Sequence, residues 1–284
     1  MMPPAIGLPP LSASEPSLRL PMPSSLFLRK LRPLWLREKL FWRFRRLRLG
    51  LAPELFEGAN LRFAPGVQLS LKPSDVGHQQ IVFLGYVEWK LSKRMQGLAS
   101  KGGLFVDVGA NYGYFTCLWA SADTGNRVIA FEASPRNLGM LKRNVERNNL
   151  QSRVTMVPKA AGRVPGTMSF SLGPEDETGW GGLSLSAGAN EVEVAVTTLD
   201  EYIGGLPDSP VIEVLKIDTE GADTWVIYGA EQLLAQKRIK HLFFEENMDR
   251  MAKLGIRPGE AQDLLRNQGY IVRSLGSGEW YASV

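Results

Sequence analysis

The segment Phe105-Val-Asp-Val-Gly-Ala-Asn-Tyr-Gly113 holds the residue types from which a cofactor site can be built. Leu104–Val108 is a short apolar run and reads as a buried strand, with Tyr112–Ala122 as the helix after it. In an open α/β sheet, ligands gather at the carboxyl ends of strands, near the point where strand order reverses. Gly109 lets the backbone turn sharply there and keeps side chains away from a ligand. Ala110 continues the turn, and Gly113 allows the start of the helix to pass close by. Asp107 and Asn111 offer an anion and an amide, suited to the ammonium and carboxylate of an amino-acid sulfonium. A dinucleotide fits less well, because its fingerprint is G-x-G-x-x-G. Counted from Gly109, the second glycine falls at Asn111 and the third at Tyr114. Glu132 ends the next strand, Arg127–Phe131, where an acid can accept hydrogen bonds from ribose hydroxyls. Its competing role is to cap the helix that begins near Pro135. The third strand, Val154–Val157, leads to Ala160, whose backbone is placed to meet an adenine edge.

A second set of acids lies at the ends of two later strands: Asp218, Glu220, Glu245 and Glu246. Asp218 ends a strongly apolar strand, Val211–Ile217, so desolvation is expected to raise its pKa toward useful base strength. Asp218, Glu220 and Glu245 are expected to face one crevice and to help remove a proton from an acceptor. Glu220 has a competing role at a helix N-terminus, and Glu246 one as a solvated surface acid. Such a cluster can hold Mg²⁺, but nothing in the spacing requires it and no metal is assigned. Lys216 is read as alternating away from the neighbours of Asp218, hence structural. Cys117 and His78 are read as packing or surface residues, and one cysteine with two histidines argues against a disulfide framework or a His/Cys metal centre.

The elements that must position these residues alternate strand and helix, the pattern of a doubly wound parallel sheet. Before them come a short strand, Val67–Leu71, and a helical stretch from Val87 to Leu98. After them come a helix over Ala222–Ala235, a strand His241–Phe244 and a helix Pro258–Asn267. Tyr270–Ser274 and Glu279–Ala282, joined through Gly276-Ser-Gly278, close the chain as an antiparallel hairpin. Thr167–Leu172 and Glu191–Val196 alternate apolar and polar residues, as a pair of half-exposed strands would. The Gly- and Ser-rich segment Gly173–Asn190 between them reads as a mobile lid over the acceptor. Trp180 within it is placed either to stack on a sugar ring or to anchor the loop on the core.

Charge is distributed unevenly. From Arg29 to Arg48 nine Lys/Arg residues face a single acid, Glu38, so this stretch carries +8 of a total of +4 and the rest is net −4. A basic nucleic-acid face on the catalytic domain is therefore not expected. Residues 1–25 are rich in Pro and Ser and read as a disordered leader, residues 26–52 as a basic amphipathic segment, and residues 53–284 as the domain. Within the basic segment Leu36, Leu40, Phe44 and Leu47 share a helical face, with Trp35 and Trp42 on its flank. The segment reads as helical beyond Pro33, and two readings stay open: membrane contact through residues 26–49, with the helix lying on an anionic membrane surface, or a helix packing its stripe on the domain. No apolar run spans a membrane, so a cytoplasmic or membrane-peripheral location is expected.

The chain resembles the FkbM-type methyltransferases. The resemblance rests on the Phe105–Gly113 segment, Phe131-Glu-Ala-Ser-Pro135, Val196-Thr-Thr-Leu-Asp200, Leu215-Lys-Ile-Asp-Thr-Glu-Gly221 and Phe243-Phe-Glu245, in that order over roughly residues 85–250. It implies a Rossmann-like class I methyltransferase fold, S-adenosylmethionine as cofactor, and O-methylation of a hydroxyl on a sugar, glycan or polyketide-like small molecule. Asp107, Gly109, Asn111 and Glu132 would hold the cofactor. Thr219 departs from the family's aliphatic residue and is expected to affect the start of a helix. Two further hypotheses come from other classes: an NAD-type oxidoreductase on a similar fold, and a non-catalytic module bound to a membrane surface.

Overall fold

Apolar runs and alternating segments form thirteen short strands in a computed structural model that describes residues 33–44, 53–185, 190–208 and 210–284. The chain divides into two units, residues 1–52 and 53–284. In the first, one helix is described, α1 (Leu34–Phe44). The leader over residues 1–25 lies outside the described residues, as do Leu47 and the arginines at 45, 46 and 48. Along α1, Leu36 and Leu40 are half-buried, Phe41 is fully buried, and Trp35 and Trp42 are exposed. The tryptophans therefore do not flank a buried stripe but lie toward solvent.

The second unit opens with β1 (Glu57–Asn60) and β2 (Gln68–Ser70), an antiparallel pair, then α2 (Val76–Leu84) and α3 (Trp89–Ala99). Next come β3 (Leu104–Val108), α4 (Tyr114–Ala122), β4 (Arg127–Phe131), α5 (Pro135–Arg147) and β5 (Val154–Val157). An insertion follows: β6 (Ala160–Ala161), β7 (Gly166–Ser171), β8 (Gly182–Ser184) and β9 (Glu191–Thr197), then α6 (Leu199–Gly204). The chain continues through β10 (Ile212–Ile217), α7 (Asp223–Tyr228), α8 (Glu231–Ala235), β11 (Ile239–Glu245), α9 (Met248–Lys253) and α10 (Glu260–Asn267). It ends with β12 (Ile271–Gly276) and β13 (Glu279–Ser283).

The seven-stranded sheet runs β12-β13-β11-β10-β3-β4-β5. From β11 to β5 all neighbours are parallel, and only the C-terminal hairpin is antiparallel, β13 sitting between β11 and β12. This is the doubly wound sheet with an antiparallel edge that the sequence predicts. Ser277 and Gly278, with φ of 54° and 83°, make the tight turn of the hairpin, the left-handed pair that a two-residue connection favours. Both faces of the parallel strands are covered, which is why they read as near-continuous apolar runs. Val106, Val108, Ile129, Phe131, Leu215 and Ile217 belong to one buried cluster with Leu199, Val226 and Leu265 from the helices.

Strand order reverses between β3 and β10, so their carboxyl ends form the switch point. Several expected boundaries shift for local reasons. α4 starts at Tyr114 and not Tyr112, because Gly113 takes a left-handed φ of 88°. The long helix expected over Ala222–Ala235 is two helices broken at Gly229 and Ala230. A Cβ on Gly229 would lie 2.0 Å from the Gly162 carbonyl oxygen, so the backbone of the insertion passes directly against the break. The expected pair of half-exposed strands is present as β7 and β9, antiparallel, in a separate four-stranded sheet. Among the described residues no helix is long and apolar enough to cross a membrane.

Candidate active site

Asp107 lies in β3 almost fully buried, not at a rim. Its Oδ2 accepts a hydrogen bond from Thr116 Oγ1 on α4 at 2.6 Å, while Oδ1 is buried without a partner. Burial raises its pKa, against the pull of Lys216. After Val108 the chain turns at Gly109, φ +80°. The amides of Gly109 and Ala110 both donate to the Phe131 carbonyl, at 3.0 and 2.9 Å, which fastens the loop to the end of β4. A Cβ on Gly109 would sit 1.9 Å from the carbonyl oxygen of Asp218. The space that glycine leaves open is thus taken by the end of β10. Gly113 is equally constrained, since a Cβ there would come within 2.6 Å of Leu141 Cδ1 on α5.

Asn111 is left-handed, φ 52°, and its amide donates to Glu132 Oε2 at 2.7 Å. Its own side-chain Oδ1 is buried without a partner. Glu132 Oε1 accepts from the Ser134 amide at 2.8 Å, so Glu132 organises the start of α5 as well as the glycine loop. Burial pushes its pKa up to about 7. A buried acceptor without a donor costs roughly 1–3 kcal/mol, and Asp107 Oδ1 and Asn111 Oδ1 each carry that cost here. Ala160 is drawn into the insertion by pairing with Val196, and its methyl packs with Phe170 and Leu183.

The second group forms at the ends of β10 and β11. Asp218, Glu220 and Glu245 present carboxylate oxygens all within 4.8 Å of one another, as the sequence predicts. Asp218 and Glu245 line a cleft, partly open to solvent, whose walls also include Glu88, Phe243, Glu279 and Trp280. Two expectations need correction. Lys216 does not point away: residues two apart in a strand share a face, and Lys216 Nζ lies 2.9 Å from Asp218 Oδ2, itself buried and in register with Asp107. Asp218 is not desolvated by its apolar strand either. Its side chain is 35% exposed and held by Lys216.

Burial, reinforced by Asp218, lifts Glu245 to about 9 and Glu220 to about 7. Glu220 sits in a left-handed turn, φ 55°, before α7, and pairs with Arg250 Nε at 3.4 Å and Asn247 Nδ2 at 3.1 Å. The helix start belongs to Asp223, which the sequence reading passed over. Its Oδ1 accepts from the Thr219 amide and hydroxyl and its Oδ2 from the Glu245 amide, tying the two strand ends together. Thr219 thus acts at the start of the helix, as expected. Glu246 is not a free surface acid, since it accepts from the Gly259 amide and Trp280 Nε1.

Glu88 is the acid that sequence reasoning missed. It precedes α3 in a left-handed conformation, φ 42°, and makes no side-chain cap hydrogen bond to that helix. It is exposed by area but enclosed by protein on its other sides, opening on the cleft beside Lys216 and Asp218. That enclosure pushes it up to about 7, despite Lys216. A left-handed non-glycine residue is a sign of strain held by its surroundings, and Glu88, Asn111 and Glu220 all carry it at this site.

The segment between β7 and β8 is fastened more firmly than a lid would need. Thr178 donates through its amide and hydroxyl to the buried Asp75, both at 2.8 Å, and Asn137 Nδ2 donates to the Thr178 carbonyl. Arg250 donates to the Trp180 carbonyl at 2.8 Å and lies over the indole, which remains 54% exposed and does not anchor in the core. Residues 186–189 of the segment lie outside the described structure.

These acids make the unliganded protein sensitive to pH in a definite direction. Glu88, Glu132, Glu220, Asp223 and Glu245 all have folded pKa values raised above the ordinary range near 4, to between about 6 and about 9, first by burial. Each binds its proton more readily folded than unfolded, so stability falls as pH rises from about 4 to about 9. Scanning calorimetry without ligand is expected to give a higher Tm at pH 5.5 than at pH 8.5; the reverse order would mean that the buried carboxyls are compensated.

Comparisons with known sequences give the chemistry class. The family described as methyltransferase FkbM domain matches residues 107–272. A curated relative, "Methyltransferase 1" of Beauveria bassiana (strain ARSEF 2860), is 27% identical over 144 residues, 44% of this chain and 57% of that protein. The chain thus spans little more than half the length of the curated relative. Among solved structures, methyltransferase FkbM from Methylobacillus flagellatus KT aligns with a TM-score of 0.44 at 15% identity, covering 92% of this chain and 58% of that one. A putative caffeoyl-CoA O-methyltransferase from Staphylococcus aureus aligns with a TM-score of 0.43 at 10% identity, covering 70% and 83%.

Proposed function

The chain belongs to the FkbM methyltransferase family, and from that premise we propose that it moves the methyl group of S-adenosylmethionine to a hydroxyl oxygen of a sugar, glycan or polyketide-like small molecule. The observation that carries the reading is the contact of Gly109 with the Asp218 carbonyl, which joins the cofactor loop to the acid-lined strand ends in one crevice. The residues fit the donor. Asp107 Oδ1 and Asn111 Oδ1, buried acceptors in need of donors, suit an ammonium group. Glu132, each of whose oxygens accepts one backbone bond, keeps lone pairs for ribose hydroxyls. Bound there, S-adenosylmethionine supplies an electrophilic methyl group.

The chain's own residues then have to align an acceptor oxygen and take up its proton. Glu88, Asp218 and Glu245 line the cleft where that oxygen would stand. An acid with a pKa of about 7 is half ionised at neutral pH, which suits Glu88 to accept a proton. Glu245, higher at about 9, suits donation of a hydrogen bond to a neighbouring acceptor oxygen. Lys216 fixes Asp218 and balances part of the negative charge. Phe243 and Trp280 offer apolar surface against which a ring can lie.

Isothermal titration with S-adenosylhomocysteine tests the cofactor half of this reading. Asp107→Ala and Glu132→Ala are each expected to weaken binding by about a hundredfold, the scale of losing a charge-assisted contact. Unchanged affinity in both variants, or tighter binding of NAD(H) than of S-adenosylhomocysteine by the parent protein, would refute it. Transfer of labelled methyl groups into a fractionated lysate, with mass spectrometry of the product, tests the acceptor half; a product methylated on nitrogen or carbon would overturn it.

A further inference from the structure

The solvent side of α1 carries an unusual combination. Among its described side chains from Trp35 to Arg43, the exposed ones are Trp35, Lys39, Trp42 and Arg43, which stand at i, i+4, i+7 and i+8 and therefore share one face about 100° wide. Trp35 is 63% exposed and Trp42 45%. Seven residues of helix separate them by about 10 Å, so both indoles can enter an apolar layer to one depth with the helix axis parallel to it. Its exposed charges are two cations; Glu38, three residues after Trp35 and four before Trp42, borders the face half-buried. In the sequence around it, Arg29 to Arg48, nine basic residues meet only Glu38.

Large indoles are costly to leave in water, and their apolar body with one polar N–H suits the boundary between water and hydrocarbon. Lysine and arginine beside them place their charged heads among anionic headgroups while their stems stay in the apolar layer. We propose that this helix face binds the surface of a bilayer containing anionic lipid and tethers the methyltransferase unit there. Two indoles at one depth fit a planar apolar layer better than a charged groove that tracks a nucleic-acid backbone, and the rest of the chain is net negative.

The test uses the full chain and extruded vesicles, either of phosphatidylcholine alone or with about one-third phosphatidylserine. Co-sedimentation is expected to show at least tenfold stronger partition onto the anionic vesicles, falling at least tenfold between 0.1 and 0.5 M salt as charges are screened. The double variant Trp35→Ala/Trp42→Ala is expected to lose at least tenfold in partition and the blue shift of tryptophan emission on binding. Lys39→Glu/Arg43→Glu is expected to lose the preference for anionic vesicles. Equal partition onto both vesicle types, unchanged partition of the tryptophan variant, or capture of single-stranded RNA without vesicle binding would overturn the assignment.

Discussion

Gly109→Ala is expected to lower the melting temperature by roughly 10 °C and to weaken S-adenosylhomocysteine binding by at least about a hundredfold. Two costs add at this position. The backbone is left-handed, φ +80°, which costs a residue with a Cβ roughly 1–2 kcal/mol. The methyl would also stand 1.9 Å from the Asp218 carbonyl oxygen and 2.9 Å from its carbon. That carbonyl belongs to backbone and cannot swing aside. The Asp218 amide is bonded to the Val108 carbonyl at 3.0 Å, and the Gly109 amide to the Phe131 carbonyl at 3.0 Å. Relief therefore requires β10 to part from β3, which separates the glycine loop from the carboxylates. Gly66→Ala isolates the conformational cost, because Gly66 has φ +95° with nothing within 4 Å of a new Cβ. It is expected to cost only about 1 kcal/mol, a few degrees. Thermal melts and titrations of both variants decide the matter: equal losses would show that the contact with Asp218 contributes nothing.

The same comparison shows what could be read without a structure. The strands were legible because β3, β4 and β10 are apolar runs bounded by turn residues, and burial on both faces leaves that mark. The glycine loop was legible because its glycines and the acid after β4 sit at short, ordered spacings. The role of Gly109 was only half visible. Its freedom to turn is local, but the group that fills its space is a carbonyl on another strand, and carbonyls carry no sequence signal. Lys216 was misjudged although strand periodicity places it on the face of Asp218. Glu88 could not be found by spacing, because an αL turn before α3 aims it at the cleft. Nor could the bonds from Thr178 to Asp75, which join residues 103 apart. α1 illustrates a further limit: several faces of a helix rich in Leu, Phe and Trp read as apolar, and only packing selects the buried one.

Lys216→Met should cost on the order of 3–5 kcal/mol, the scale for removing one partner of a buried ion pair, and the loss should depend on pH. Methionine nearly preserves the length and volume of the side chain, so packing against Phe115, 5.1 Å from the ammonium, changes little. What disappears is the cation between the buried Asp107 and the cleft-lining Asp218 and Glu88. Burial alone would lower the lysine's pKa, yet these three acids outweigh it and hold it above its ordinary value, so the charge is fully present at neutral pH. Without it, Asp107 and Glu88, already raised by burial, move further up. Where they stay ionised they destabilise the fold, and where they are protonated the missing cation matters less. The difference in Tm between parent and variant is therefore expected to be large at pH 8, roughly 10 °C, and to shrink at pH 5. A packing role alone would give the same difference at both values. Titration of S-adenosylhomocysteine adds a second readout: the free Asp107 oxygen gains negative potential when Lys216 is lost, so the variant's relative affinity for an ammonium-bearing ligand should rise in the folded fraction above pH 7. A pH-independent loss of stability would remove Lys216 from the electrostatics of the site and leave it a packing residue of β10.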